Sequence, residues 1–235
     1  MTPIWAAPGA HRDLGDRISE AFAPLKPHLR GWLHAGTFPL ATAAGIVLIC
    51  LAPTAASKWA AAIYTAAAML LFGISGLYHR FYWGPIAEAL LRRLDHSNIF
   101  LLIAGTYTPF AIVLLHGADR IVLLATVWGG ALMGVLFRVF WVGAPRWLYT
   151  PIYLALGWVA VFWMGDFYNL GGVAVITLVA IGGGLYSLGA LVYGLKRPDP
   201  SPRWFGFHEI FHACTVAAFA VHYIAISLVT YTLAT

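Results

Sequence analysis

The last apolar segment of the chain begins with His208-Glu209-Ile210-Phe211-His212 and continues to Ala234. In a helix, residues four apart lie about 40° apart around the axis, so the two histidines face the same way. Their imidazole nitrogens could therefore bind one metal ion at the edge of a membrane span. Polar groups in such a place are costly unless they bind something. The rest of the chain should then supply a further ligand and a base.

The composition is that of an integral membrane protein. Of the 235 residues, 61% are hydrophobic and 10% are charged, whereas soluble domains carry about 25% charged residues. A membrane-spanning helix needs about 20 apolar residues, so the chain has room for about six to eight spans. The net charge of +5 does not predict a nucleic-acid partner, because in a membrane protein the distribution of Lys and Arg between loops is what matters. Cys50 and Cys214 lie in apolar segments and predict neither a disulfide nor a metal site.

Apolar segments separated by polar or Gly/Pro breaks predict seven membrane spans. These are Trp32–Leu51, Trp59–His79, Asp95–Leu115, Ile121–Trp141, Trp147–Trp163, Gly171–Leu195 and Phe207–Leu233. The predicted fold is an all-α integral membrane protein, a bundle of seven transmembrane helices over residues 32–235. We expect residues 1–31 to form a cytoplasmic tail, disordered or partly helical, without the apolar region of a cleavable signal. Within this tail, Asp13–Ala23 could form a short interfacial helix.

The distribution of basic residues supports seven spans and gives an orientation. Twelve of the fourteen Lys and Arg residues fall in the tail and in the loops after spans two, four and six; only Lys58 and Arg120 fall on the other side. Because cytoplasmic loops are enriched in Lys and Arg, we expect a cytoplasmic N-terminus and an external C-terminus. We expect a multi-pass protein of the plasma (inner) membrane.

This topology brings polar residues of three spans to the cytoplasmic end of the bundle. His79 ends the second span and Asp95 opens the third, while His208 and His212 begin the seventh. Three histidines with an open fourth position are the ligand set of a catalytic zinc site, so we expect Zn²⁺ at this place. Asp95 could hold and deprotonate a zinc-bound water. Ser75 precedes His79 by one turn and could hydrogen-bond a ligand or the water.

Two features of the same stretch allow other interpretations. His208 to His212 also fits the HExxH pattern of zinc proteases, in which Glu209 would be the general base, and spacing alone does not exclude this role. The other histidines of the spans are interpreted as structural, although His34, at the inner start of span one, could approach the site. They are His34, His96, His116 and His222.

Three motifs in these spans together resemble a known family. They are Ser75-x3-His79, the run LDHSNIFLLIAGTYTP over residues 94–109, and His208-x3-His212. In this combination the chain resembles the hemolysin III family, which belongs with the adiponectin and progestin receptors (the PAQR group) and is distantly related to alkaline ceramidases. The resemblance covers about residues 30–235. It implies a zinc ion on His79, His208 and His212, with Asp95 contacting its water.

The start of span one departs from that family. Many members carry there an acidic, asparagine-containing motif that ends in Thr-His, where this chain has Arg30-Gly31-Trp32-Leu33-His34. A role for span one is therefore not carried over from the family.

The preferred functional hypothesis is a zinc-dependent intramembrane hydrolase, ceramidase-like, that acts on a lipid amide or ester. Membrane lipid is the expected partner, with an acyl chain inside the bundle. The alternative is a regulator or receptor of membrane lipid homeostasis with structural zinc. A pore-forming hemolysin ranks last, because no span shows a polar stripe. A retinal protein is not expected, since Lys26, Lys58 and Lys196 all lie outside the middle of a span. The oligomeric state is not predicted.

Overall fold

The computed structural model describes residues 27–141 and 143–233, which are almost entirely helical and contain no β-strand. The helices are α1 (Trp32–Leu51), α2 (Ala55–Arg80), α3 (Pro85–Leu114), α4 (Gly117–Phe140), α5 (Arg146–Gly157), a 3₁₀ helix (Trp158–Trp163), α6 (Met164–Leu195) and α7 (Phe207–Leu233). The predicted all-α architecture is therefore confirmed for this part of the chain. The predicted interfacial helix over Asp13–Ala23 lies outside the described residues.

Six helical regions of the described chain are long and apolar enough to cross a membrane. One of them, Arg146–Leu195, has fifty residues and contains both the fifth and the sixth predicted spans. A straight α-helix of that length would measure about 75 Å, far more than the roughly 30 Å of a hydrocarbon core. The region instead folds back on itself, since the Tyr149 and Tyr193 hydroxyls lie 3.1 Å apart. Gly172, with φ 77° and ψ 179°, interrupts its helical backbone.

Helix α3 begins ten residues before the predicted third span, at Pro85 instead of Asp95. Proline suits the first helical position, because the amide hydrogen that it lacks would have no partner there. The first turns are polar, and Glu88 and Arg92 form an i,i+4 ion pair of 2.8 Å. Because these turns are polar, they lie outside the apolar segment from which the third span was predicted. Asp95 therefore lies about three turns inside a helix of 30 residues and does not open it.

The last helix closes the bundle. Successive helices α1 to α4 pack against their neighbours in the chain, and α7 packs against α6, α1 and α3. Glycine allows a close approach at two of these contacts. A Cβ on Gly45 of α1 would lie 2.2 Å from Thr65 of α2, and one on Gly182 of α6 would lie 2.3 Å from the His222 ring of α7. The first turns of α7 contact α1 through His212 and His34, and the end of α2 through His208 and His79.

Candidate metal centre

Three buried histidines meet where α2 ends and α7 begins. His79 lies in the last turn of α2, and His208 and His212 lie in the first two turns of α7. One imidazole nitrogen from each residue lies within 4.8 Å of the other two. The Nε2 atoms of His79 and His208 are 3.3 Å apart. The structure therefore brings together the three residues that the sequence singled out as ligands.

The separation of one pair of these nitrogens equals that expected around a bound metal ion. In a tetrahedral site with Zn–N distances of roughly 2.0–2.1 Å, two ligand nitrogens lie about 3.3–3.4 Å apart. The 3.3 Å between His79 Nε2 and His208 Nε2 matches this separation. Neutral imidazoles are common zinc ligands, and three of them leave a fourth position open. The cluster could therefore hold a metal ion, and its donor set suits zinc.

Asp95 lies beside the cluster without belonging to it. Its Oδ2 is 3.4 Å from His79 Nε2, and its side chain is 13% exposed. It is not a member of the group of ligand atoms within 4.8 Å of one another. Ser75, buried one turn before His79, lines the same cavity as Asp95. Both side chains thus lie close enough to the cluster to form a hydrogen bond, or to exchange a proton, with a molecule bound there.

Glu209 has a structural environment, unlike the base of an HExxH protease. Its Oε2 accepts a hydrogen bond of 2.8 Å from the amide of Gly206, and Arg30 donates from Nε to its Oε1. The residue three positions after a helix N-cap often reaches back to the N-cap amide in this way. With both oxygens engaged and 1% of the residue exposed, Glu209 fixes the start of α7. The geometry disfavours the protease-like interpretation.

A left-handed glycine lets the segment before α1 reach the site. Gly31 has φ 82°, and a Cβ there would lie 3.0 Å from both the Arg80 amide nitrogen and the His79 Cβ. Other residues rarely adopt this conformation, and the backbone of α2 leaves no room for their side chains. The turn at Gly31 therefore holds Arg30 against Glu209.

His34 is a part of the site that the sequence interpretation had treated as structural. Its ring stacks on that of His212, with centroids 3.8 Å apart and an interplanar angle of 8°. The residue is 3% exposed, and neither of its ring nitrogens has a hydrogen-bond partner within the described part of the chain. The sequence did indicate that His34 could take part, because the predicted topology places it on the same side of the membrane as the three candidate ligands.

Three further histidines of the predicted spans do not belong to the group of clustered ligand atoms. His96 Nδ1 lies 2.7 Å from the Arg92 carbonyl oxygen, and His222 Nε2 lies 3.3 Å from that of Val179. His116 is exposed just before α4. These environments agree with structural roles for all three.

An internal cavity of about 220 Å³ extends from the cluster into the bundle. His208, His212 and Asp95 line it. Most of its wall is apolar and includes Leu102, Phe110 and Phe167. Pockets of this type, apolar with a few convergent polar groups, are typical binding sites for small molecules.

Comparison with known proteins gives consistent matches over this bundle. The family model described as haemolysin-III related matches residues 22–223. The chain is 39% identical to Hemolysin-3 of Bacillus cereus over 141 residues, which is 60% of this chain and 64% of that protein. It is 34% identical to the Hemolysin-3 homolog of Bacillus subtilis (strain 168) over 166 residues, 69% of this chain and 78% of that protein. Identity to the adiponectin receptor protein of Drosophila melanogaster is 28% over 183 residues, 68% of this chain and 40% of that protein.

Proposed function

Because the chain belongs to the haemolysin-III-related family, we propose that it is a zinc-binding membrane protein that hydrolyses an amide or ester of a membrane lipid. His79, His208 and His212 hold the zinc ion. The observation that carries this proposal is the buried histidine cluster beside Asp95, at the wall of an apolar cavity of about 220 Å³.

The side chains around the cluster have separate tasks in this reaction. A bound zinc ion supplies Lewis-acid polarisation of the carbonyl and a nucleophile at neutral pH. Asp95 takes up a proton at Oδ2 from the attacking water and returns it to the leaving amine or alcohol. Ser75 orients the Asp95 carboxylate from the neighbouring helix. His34 packs on His212 and keeps its ring in position.

The cavity suits the acyl chain of such a lipid. In the cavity, an acyl chain would exchange its apolar contacts with the bilayer for apolar contacts with the protein. The same walls exclude water from the bond that is cleaved. The polar atoms of His208, His212 and Asp95 line the same cavity. A chain that enters from the membrane would therefore bring its carbonyl carbon to the histidine cluster.

We further propose seven spans with the N-terminus in the cytoplasm. The contact between Tyr149 and Tyr193 supports two passes for the region Arg146–Leu195, because its two ends then lie on the same side. Twelve of fourteen Lys and Arg residues fall on the side of the cluster under this topology. The site therefore faces the cytoplasm.

A receptor or regulator with structural zinc is the second candidate. It is favoured by the similarity to the Drosophila adiponectin receptor protein. In that case the metal would hold α2 and α7 together, and no lipid would be turned over. A pore, suggested by the names of the Bacillus relatives, ranks last because the wall of the internal cavity is mainly apolar.

Metal content and lipid turnover test the proposal together. Purified protein should hold about one zinc ion per chain, and His79→Ala, His208→Ala or His212→Ala should each lose most of it. His116→Ala is the matched control, because this histidine is exposed and lies outside the cluster. Wild-type protein should release fatty acid from a panel of labelled ceramides and phospholipids.

The possible outcomes separate the candidates. Equal zinc in all four variants would rule out the site. Zinc without release of fatty acid from any lipid would reject the hydrolase in favour of the structural alternative.

A further inference from the structure

A second cavity, of about 350 Å³, lies at the same end of the bundle as the histidine cluster. Four arginines and one carboxylate, Glu88, line it, and we call this cavity the arginine vestibule. The arginines come from four parts of the chain: Arg30 before α1, Arg92 on α3, Arg138 on α4 and Arg146 on α5. Arg30 is paired with Glu209 and Arg92 with Glu88, so the four arginines still leave an excess of positive charge, which favours an anion in the cavity.

The vestibule runs from the surface into the protein. Arg92 and Glu88 are paired at its rim, with side chains 45% and 46% exposed. Arg138 lies inside, 2% exposed, with its guanidinium 4.5 Å from the centre of the Tyr149 ring. An anion that enters would therefore leave bulk water step by step, and its attraction to the arginines would strengthen as it does so.

One arginine of the vestibule has a hydrogen-bonding group that no described residue uses. Arg146 is held 4.7 Å above the Tyr193 ring, and its Nη1 is buried without a hydrogen-bond partner among residues 27–141 and 143–233. An unmade hydrogen bond from a charged donor is costly. A bound anion would satisfy it, and the planar guanidinium fork suits the oxygens of a phosphate.

The vestibule adjoins the apolar cavity. His96, Tyr149, Tyr193 and His208 line both spaces, so His208 lies between a cationic and an apolar compartment. An amphiphile of matching length could place its charged head in one and its chain in the other. A soluble anion would fill only the vestibule.

We propose that the arginine vestibule binds the phosphate group of an anionic glycerophospholipid whose acyl chain occupies the apolar cavity. This inference rests on the proposed function and names its substrate class. A cavity lined by four arginines and one carboxylate matches a headgroup with net negative charge better than a zwitterionic one. The residues shared by the two cavities favour a lipid over free phosphate, because only a lipid could occupy both. In the reaction, the acyl C–O bond breaks; water gives its OH to the acyl carbon and its hydrogen to the leaving oxygen, which yields a fatty acid and a lysophospholipid.

Lipid binding is measured on Asp95→Asn protein, which removes turnover during the assay and leaves the vestibule intact. The probes are fluorescent phosphatidylglycerol and phosphatidylcholine with identical acyl chains, both titrated into detergent-purified protein. We expect the Kd for phosphatidylglycerol to be about tenfold lower or more, which corresponds to about 1.4 kcal/mol. A second arm measures how well glycerol 3-phosphate and inorganic phosphate displace the labelled lipid.

Arg146→Gln, in the same background, should remove most of this preference, and Arg146→Lys should keep part of it because the charge remains. The matched control is Arg80→Gln, which removes an exposed arginine that lies over Trp32 outside the vestibule. It should retain the wild-type preference. Thermal melting of each variant shows whether it is folded.

Equal Kd values for the two lipids, or a preference unchanged in folded Arg146→Gln, would overturn the inference. Displacement by glycerol 3-phosphate or inorganic phosphate at the concentrations at which phosphatidylglycerol binds would overturn the assignment to a lipid. Wild-type protein that cleaves both lipids at the same rate would reject the vestibule inference and leave the hydrolase standing. Preferential binding of phosphatidylglycerol without cleavage of any lipid would support the vestibule inference and reject the hydrolase.

Discussion

Replacing Glu209 with glutamine tests whether this residue anchors α7 or acts as a base. Glutamine has nearly the same shape and can still accept the hydrogen bond from the Gly206 amide. It cannot form the ion pair with Arg30. We therefore expect Glu209→Gln to lower the stability of the protein and to leave its chemistry intact.

The size of the loss follows from the burial of the two partners. Breaking a fully buried pair costs about 3–5 kcal/mol, because the remaining charge has no compensation. Glu209 is 1% exposed, but the Arg30 side chain is 20% exposed, so water can solvate the arginine that remains. We expect about 2–3 kcal/mol. For a chain of this size this corresponds to a fall in Tm of about 4–12 °C.

The assay is thermal melting of purified protein with both single variants, Arg30→Gln and Glu209→Gln, and with the double variant. If the ion pair acts as a unit, the double variant should be about as unstable as either single variant. Zinc content and lipid hydrolysis, measured well below the Tm, should stay close to wild type. A Glu209→Gln protein with the wild-type Tm and no hydrolysis would refute this reasoning and restore the HExxH interpretation.

The remaining predictions concern the base, the stacked histidine and the topology. Asp95→Asn should reduce hydrolysis by about a hundredfold or more and retain zinc; loss of zinc would make Asp95 a direct ligand and close the site. His34→Phe should retain zinc because an aromatic ring still stacks on His212, whereas His34→Ala should lower the Tm and weaken zinc binding; zinc affinity equal to wild type in both variants would contradict the packing role. A reporter active only in the cytoplasm should work when fused after Arg197 and fail when fused after Thr235, and the opposite pattern would contradict the proposed orientation.

Hydropathy and charge were sufficient to predict the residues that meet in the site. Every end of a membrane-spanning helix lies on one of the two sides of the membrane. His79, Asp95 and His208 fall at segment ends on the same side, so the predicted topology already places them near one another. The spacing of His208 and His212 fixed their common face on α7. The meeting of these four residues could therefore be predicted before any packing was known.

The environment of the site could not be predicted in this way. The pair of Arg30 and Glu209 joins residues 179 positions apart, and it depends on the backbone turn at Gly31. The stack of His34 on His212 depends on how α1 is rotated about its axis. The polar first turns of α3 lie outside any apolar segment, so their helical structure was missed. Side-chain packing and turns decide these features, and hydropathy does not report on either.

The division of the ligands between α2 and α7 also has a consequence for biosynthesis. His208 follows His79 by 129 residues, and a ribosome that adds about 5–20 residues per second needs about 6–26 seconds to cover that distance. During this interval His79 and Asp95 are already synthesised while two of the three nitrogen donors do not yet exist. If the cluster binds zinc as we propose, full affinity would be reached only after the last helix has entered the bilayer. A chain that stops before α7 would carry only one of the three clustered histidines, His79.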